Sequence, residues 1–324
     1  MTWLVTGGAG YIGAHVVRAM VQDGHRVVVL DDLSTGSKER MPDDVELIVG
    51  SVLDRAALDS AIAYHGVTGV VHLAGKKRVA ESVERPLYYY RENVEGLRVL
   101  VEAVADHGLR GLVFSSSAAV YGMPDVASVT EETVCAPINP YGESKLAGEW
   151  LVRAASHAHG FGHVILRYFN VAGTGSPELG DQGTSNLIPM VFERLSAGRP
   201  PLIFGGDYPT ADGTCVRDYI HVGDIATAHV AAANRLVAKN EAAPVRTALT
   251  LNAGSGAGYS VRAVLDMVAD VTGHHTVPTV AARRAGDPAS VVASAERIRT
   301  ELGWEARHDL RSMVSSAWDA WSVK

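Results

Sequence analysis

Over the first 170 residues, short unbroken apolar runs alternate with longer stretches in which apolar side chains recur every three or four positions. The runs at 3–5, 26–30, 46–49, 69–73, 111–114 and 163–166 have the length and β-branched content of strands. The stretches at 54–64, 86–107 and 141–157 have helical spacing. This βα rhythm predicts parallel strands joined by right-handed crossovers, an α/β fold built on a doubly wound parallel sheet.

After Phe169, Gly, Pro, Asn and Asp dominate through Asp212, followed by a helix-like stretch at 224–239, a strand at 247–252 and a mixed remainder. The change predicts a sheet domain over 1–170, to which some later segments return, and a smaller α/β cap over 171–324. No repeat of fixed period and no Pro/Ser linker divides them, so both are expected to wall one cleft at the carboxyl ends of the strands.

Composition then narrows the partners. A net charge of −7 without a basic run argues against a nucleic-acid surface. Cys135 and Cys215 stand alone and far apart, so neither a disulfide framework nor a zinc knuckle is expected, which suits a reducing cytoplasm. The first strand begins at residue 2 and no apolar run approaches the roughly 18 residues of a membrane span, so neither a leader nor a membrane partner is expected. His72 and His221 have no partner at ligand spacing and Cys215 has no base beside it, so these read as packed structural residues and no metal is expected.

Candidate chemistry begins where the first strand enters Thr6-Gly7-Gly8-Ala9-Gly10-Tyr11-Ile12-Gly13. Glycines at 7, 10 and 13 allow a sharp turn, bring bare backbone N–H groups to a phosphate and let the next helix pack closely on the strand. A pyrophosphate suits that helix N-terminus. Asp31, closing the second strand, is placed to accept hydrogen bonds from an adenosine ribose and to repel a 2′-phosphate. The Rossmann-type pattern therefore predicts NAD over NADP, and the flanking strands and terminal acid favour it over a glycine turn without a ligand.

Tyr141-Gly142-Glu143-Ser144-Lys145 follows Pro140 at a helix start, and its spacing puts phenol and ammonium on one face. A tyrosine of pKa about 10 is protonated at neutral pH; a neighbouring ammonium and a cationic nicotinamide would favour the phenolate. Tyr141 is thus a candidate general base toward a sugar hydroxyl, with Lys145 also holding the nicotinamide ribose. Upstream, 112–114 runs into Ser115-Ser116-Ser117-Ala118-Ala119, small hydroxyls at a strand's carboxyl end, with Ser117 best placed. Taken singly, a Tyr–Lys helix pair and a serine-rich turn both occur without chemistry.

Together with Leu73-Ala74-Gly75-Lys76-Lys77, Asn93-Val94-Glu95-Gly96, Leu166-Arg167-Tyr168-Phe169-Asn170, the run from Asp207-Tyr208-Pro209-Thr210 to Arg217-Asp218-Tyr219-Ile220-His221-Val222, and Arg283-Arg284-Ala285-Gly286-Asp287, these motifs resemble the extended short-chain dehydrogenase/reductases. The closer resemblance is to the UDP-galactose (UDP-glucose) 4-epimerases, and it covers nearly the whole chain. It implies that Gly7, Gly10, Tyr11, Ile12, Gly13, Asp31, Val52, Leu73, Ala74, Lys77, Asn93, Ser115, Tyr141, Lys145 and Tyr168 surround NAD. It further implies that Ser117, Tyr141 and Lys77 face the sugar, and that Asn170, Asn186, Leu187, Arg217, Arg284, Asp287 and Val291 complete a UDP-hexose site. The family usually dimerises, and the helices near 86–107 and 141–157 are the candidates to pair with their copies.

Three positions depart from the family pattern: Ser51 replaces an aspartate near adenine, Ala119 a frequent threonine, and Val291 a bulky tyrosine of some relatives. Related dehydratases and decarboxylases place acids directly after the active-site hydroxyl, where Ala118 and Ala119 stand; a methyl transfers no proton. A regulator that only binds NAD would have no need of Tyr141 or Lys145. The expected reaction is therefore interconversion of UDP-glucose and UDP-galactose by reversible C4 hydride transfer to NAD through a 4-keto sugar. UDP-N-acetylhexosamines are further candidates because of Val291, and other NAD-dependent nucleotide-sugar chemistry (uronate 4-epimerase, dehydratase or decarboxylase) is the alternative.

Overall fold

The structure, a computed structural model, describes residues 1–181, 183–184, 186–238, 247–284 and 286–323. Six strands, β1 (Thr2–Thr6), β2 (Arg26–Asp31), β3 (Glu46–Val49), β4 (Gly69–His72), β5 (Gly111–Ser117) and β6 (Gly162–Tyr168), pair in parallel in the order β6–β5–β4–β1–β2–β3. The order reverses between β1 and β4, which leaves a crevice at their carboxyl ends.

Helices cover both faces, so the inner strands are apolar throughout rather than alternating. Leu4, Val28 and Leu30 pack against Leu58 and Ile62 of α2 (Arg55–His65) on one face. Trp3, Val5 and Val29 pack against Val16, Val17 and Met20 of α1 (Tyr11–Gln22) on the other. The Asp54 carboxylate caps α2 by accepting the Ala57 N–H, and left-handed Gly66 ends it.

The expected helix over 86–107 is interrupted. After α3 (Val79–Glu84), the chain forms α4 (Pro86–Tyr89), a π-helical stretch at Tyr90–Glu95, and then α5 (Gly96–Asp106). Asn93 lies in the wide turn, where its side chain accepts from Lys76 N (2.7 Å) and donates to Lys76 O (3.0 Å) and Ser144 Oγ (3.0 Å). Such turns recur at functional sites. The next helix, α6 (Pro140–His159), starts with Pro140 in its first turn and Asn139 Oδ1 accepting from Gly142 N, which sets where Tyr141 and Lys145 emerge.

Beyond Phe169 come β7 (Asn170–Ala172), α7 (Leu187–Ser196), β8 (Leu202–Phe204) and β9 (Val216–His221). The chain then returns to the sheet domain. Helix α8 (Val222–Val237) packs beside α1, and β10 (Ala248–Ala253) adds in parallel outside β6, making seven strands. The helix expected at 224–239 thus starts two residues earlier, capped by His221, and Lys239 lies outside the described residues. The rest of the cap comprises β11 (Gly258–Ser260), α9 (Val261–Thr272), β12 (Thr279–Ala281), β13 (Ser290–Val291) and α11 (Leu310–Ser322), while α10 (Glu296–Leu302) packs on α8 and β10 of the sheet domain. The small sheet of the cap centres on β9, which is parallel to β7 and β13 and antiparallel to β11, and Phe192, Leu265, Val268 and Met313 fill the cap core.

Candidate active site

The glycine turn between β1 and α1 has no room for side chains. Gly7 has φ +73°, and a Cβ there would lie 2.5 Å from Ala74 N; at Gly13 it would lie 2.1 Å from Gly7 O. Bare backbone therefore faces the crevice at the α1 N-terminus, which is what a pyrophosphate requires. At the end of β2, buried Asp31 accepts hydrogen bonds from Ala9 N (2.9 Å) and Leu33 N (2.8 Å). Burial raises its carboxyl group while those N–H groups oppose the rise, and the acid stays fixed beside the turn.

From this turn a cleft open to solvent runs to Tyr141. Its wall brings together Gly7, Gly10, Tyr11, Ile12, Gly13, Asp31, Val52, Leu73, Ala74, Lys77, Ser115, Tyr141, Lys145 and Tyr168. Asn93 is the exception in the expected cofactor set: it sits one layer behind, pinning the Lys76 backbone. Ser51 also lines the cleft, with its Oγ accepting from Leu53 N.

Deep in the cleft, Lys145 Nζ donates to Ser115 O (2.9 Å) and stands 6.0 Å from the Tyr141 ring centre. Burial lowers the ammonium to about 8, so it is still mainly charged at neutral pH. Burial raises the Tyr141 phenol, with a hydrogen bond from the Ser117 hydroxyl pulling the other way. The lowered phenol expected from the Tyr–Lys spacing is therefore absent from the protein alone: Nζ is aimed at a carbonyl, and desolvation outweighs the helix neighbour. Ser117 itself is half-buried, and its Oγ also accepts from Ala119 N.

A buried polar chain supports this floor. Tyr168 Oη contacts Ser115 Oγ (2.9 Å) and His229 Nε2, and Ser115 Oγ donates to the His72 carbonyl (2.8 Å). The His72 ring bonds Thr6 Oγ1 and stacks on Phe114, while His221 Nδ1 accepts from Gly223 N at the start of α8. Burial lowers His72 to about 3 and His221 to about 4, keeping both neutral.

Apart from Lys77 and Tyr141, which are on the cleft wall, and Ser117 beside it, the expected UDP-sugar residues lie across the cap. Asn170, Asn186 and Leu187 border a smaller pocket with Tyr11 and Tyr219. Arg217 Nη1 donates to Val216 O (2.9 Å) and Pro288 O (2.8 Å), and its Nη2 lies 3.5 Å from Asp287 Oδ1. The Arg284 guanidinium carbon stands 3.8 Å from the Phe204 ring centre. Val291 pairs with Arg217 between β13 and β9 and is buried among Val120, Tyr121, Val129 and Phe169. Ala285, in the same motif, lies outside the described residues.

Sequence reasoning missed the turn after β2. Asp32, Ser34, Gly36, Ser37 and Arg40 all line the cleft. The Asp-x-Ser pattern was available: Asp32 Oδ1 accepts from Ser34 N and Ser34 Oγ. Phe204, under Arg284, carried no comparable mark.

A parallel sheet with a glycine turn at its switch point, and a Tyr–Lys helix pair facing the same cleft, define a dinucleotide-dependent enzyme of the short-chain dehydrogenase/reductase type. Residues 3–245 match the NAD dependent epimerase/dehydratase family, and the chain belongs to that family. It is 44% identical to a UDP-glucose 4-epimerase of Corynebacterium glutamicum, over 98% of this chain and 95% of that one. It is 46% identical to one of Azospirillum brasilense, over 97% and 90%. Among solved structures it is similar to a UDP-glucose 4-epimerase of Stenotrophomonas maltophila with bound NAD and formylated UDP-arabinopyranose, with TM-score 0.93 and 37% identity over 100% of this chain and 98% of that one.

Proposed function

We propose that this protein is a UDP-glucose 4-epimerase, interconverting UDP-glucose and UDP-galactose with retained NAD. The observation that carries the reading is one cleft joining a glycine turn without side chains to buried Lys145 and half-buried Tyr141, with the Arg217–Asp287 pair and Arg284 in the adjoining cap. The bare turn and fixed Asp31 fit NAD, which when bound takes a hydride from the hexose C4 and gives it back. Tyr141 Oη takes the proton of the 4-hydroxyl and returns it, and Ser117 Oγ holds that oxygen. Lys145 holds the cofactor ribose and favours the phenolate.

Arg217 and Arg284 hold the diphosphate through charge-assisted bonds, so the nucleotide stays anchored while the 4-keto hexose is free to turn over. Ala118, Ala119 and Val291 offer that ring no hydrogen bonds from their side chains. The small side chain at Val291, where some relatives carry tyrosine, supports UDP-N-acetylhexosamines as further substrates. Exposed Val83, Leu87, Tyr90 and Trp150 on α3, α4, α6 and the π-helical stretch support a homodimer through these helices. No described helix is long and apolar enough to cross a membrane.

The test is incubation of purified protein with UDP-galactose and no added reductant. UDP-glucose should accumulate to an equilibrium mixture, and the reverse reaction should reach the same ratio. No conversion in either direction would overturn the assignment.

A further inference from the structure

Arg40 is only 6% exposed, yet no carboxylate lies within ion-pair distance of it among the described residues. Buried charges are ordinarily paired, because an uncompensated ion loses its hydration without return. Its Nη2 donates to Gly180 O (3.0 Å), and its Nε is enclosed without any acceptor. The charged and titratable groups around it do not close the gap. Asp181 is the nearest acid in influence, but its Oδ1 accepts from Gly183 N and its Oδ2 from Asn186 Nδ2. Tyr11 Oη donates to Gly173 O, and Arg18 Nη2 donates to the Arg40 carbonyl and lies 4.0 Å from Glu178 Oε1.

The backbone that carries Arg40 is tied to the phosphate-binding turn. Ser37 N donates to Ala9 O (3.0 Å), inside the glycine turn, and Arg40 N donates to Ser37 O (3.3 Å). Arg40 thereby borders the same cleft as Gly10, Tyr11, Ile12 and Gly13. The other cations there are Lys145, taken by Ser115 O, Lys76, taken by Ser34 Oγ, Lys77, which stands over the Tyr11 ring, and Arg78, which is exposed rather than buried.

We propose that Arg40 is a cofactor-binding residue whose guanidinium supplies the cation for the pyrophosphate of NAD held at the α1 N-terminus. The inference rests on the NAD reading of the cleft and adds to it the partner that the buried charge lacks. A helix N-terminus and a planar guanidinium are complementary donors to a diphosphate, one through backbone N–H groups and the other through a fork of charged ones. A purely structural Arg40 would instead serve the Gly180 carbonyl and, through Asp181, the position of Asn186 on the substrate side.

The two roles separate in Arg40→Met and Arg40→Lys. NAD released by heat from the purified proteins is quantified, its dissociation rate is followed on dilution, and UDP affinity is measured calorimetrically on the NAD-loaded protein. We expect wild type to carry close to one NAD per chain, Arg40→Met to lose it at least tenfold faster, Arg40→Lys to fall between, and UDP affinity to stay within twofold throughout. Retention of NAD by Arg40→Met at the wild-type rate overturns the proposal, and so does a loss of UDP affinity with NAD retained, which assigns Arg40 to the substrate loop. If Arg40→Met does not fold, Arg40→Lys decides: NAD loss at least threefold faster supports the role and an unchanged rate refutes it. A wild-type protein without NAD would instead refute the NAD reading itself.

Discussion

The cofactor cleft and the cap hold their polar groups differently. In and just behind the cleft wall, Asp31, Lys145 and Asn93 are each fixed by backbone donors or acceptors, and all three are carried by βα units of one sheet. In the cap, Arg217 is tied to two carbonyls and Arg284 lies on an aromatic face, and these residues converge from β9 and the segment before β13. A rigid pocket suits a cofactor that never leaves. An anchor at the nucleotide end, with few contacts on the sugar, suits a substrate whose ring must turn over before the second half-reaction.

The sharpest break in that contrast is Tyr141→Phe. It should lower kcat roughly several hundred-fold or more while the protein keeps its fold and its NAD, since only the proton acceptor is lost. Turnover within tenfold of wild type would remove Tyr141 from the chemistry. In the cap, Arg284→Ala should raise the KM for UDP-sugars by about thirty-fold, the equivalent of about 2 kcal/mol for a charged hydrogen bond, with NAD content unchanged. Loss of NAD from that variant would mean that the two regions are not independent.

Val291→Tyr probes the proposed sugar end of the cap. If the unmodified protein accepts UDP-N-acetylhexosamines, the variant should slow them at least roughly tenfold more than UDP-glucose and UDP-galactose, because overpacking a buried site costs on the order of 1–3 kcal/mol. Equal slowing of both pairs would place the gate elsewhere.

The smallest effect concerns stability. Lys145 is lowered to about 8 from 10.5, so its charged form costs the fold about 3 kcal/mol at neutral pH. That penalty is complete below pH 8 and is relieved as pH rises from about 8 toward 10.5, because the unfolded chain then holds more protons. Lys145→Met, stripped of NAD like its control, should therefore resist urea better than wild type at pH 7, and the gap should narrow by pH 10. A variant less stable than wild type at pH 7 would mean that the bond to Ser115 O outweighs desolvation.

The local regularities were legible because they are written in consecutive residues. Apolar runs of strand length, the three glycines, Asp31 at a strand end and the Tyr141–Lys145 spacing all follow from short-range geometry, and with them came the sheet and the cofactor class. The UDP-sugar residues came from resemblance, since nothing in their own spacing joins Asn170 to Arg284. Tertiary structure decided what depends on distant segments. It returned α8 and β10 to the sheet domain, opened a π-helical turn so that Asn93 could clamp Lys76, and brought Phe204 under Arg284. It also set the balance at Tyr141, where burial raises a phenol that the helical spacing alone would lower. Arg40 is the clearest case: in sequence it is one charge in a polar turn, and only the packed structure shows that it is buried beside the cleft without a counter-ion among the described residues. Desolvation and pairing are properties of an enclosure, and no stretch of chain encloses itself.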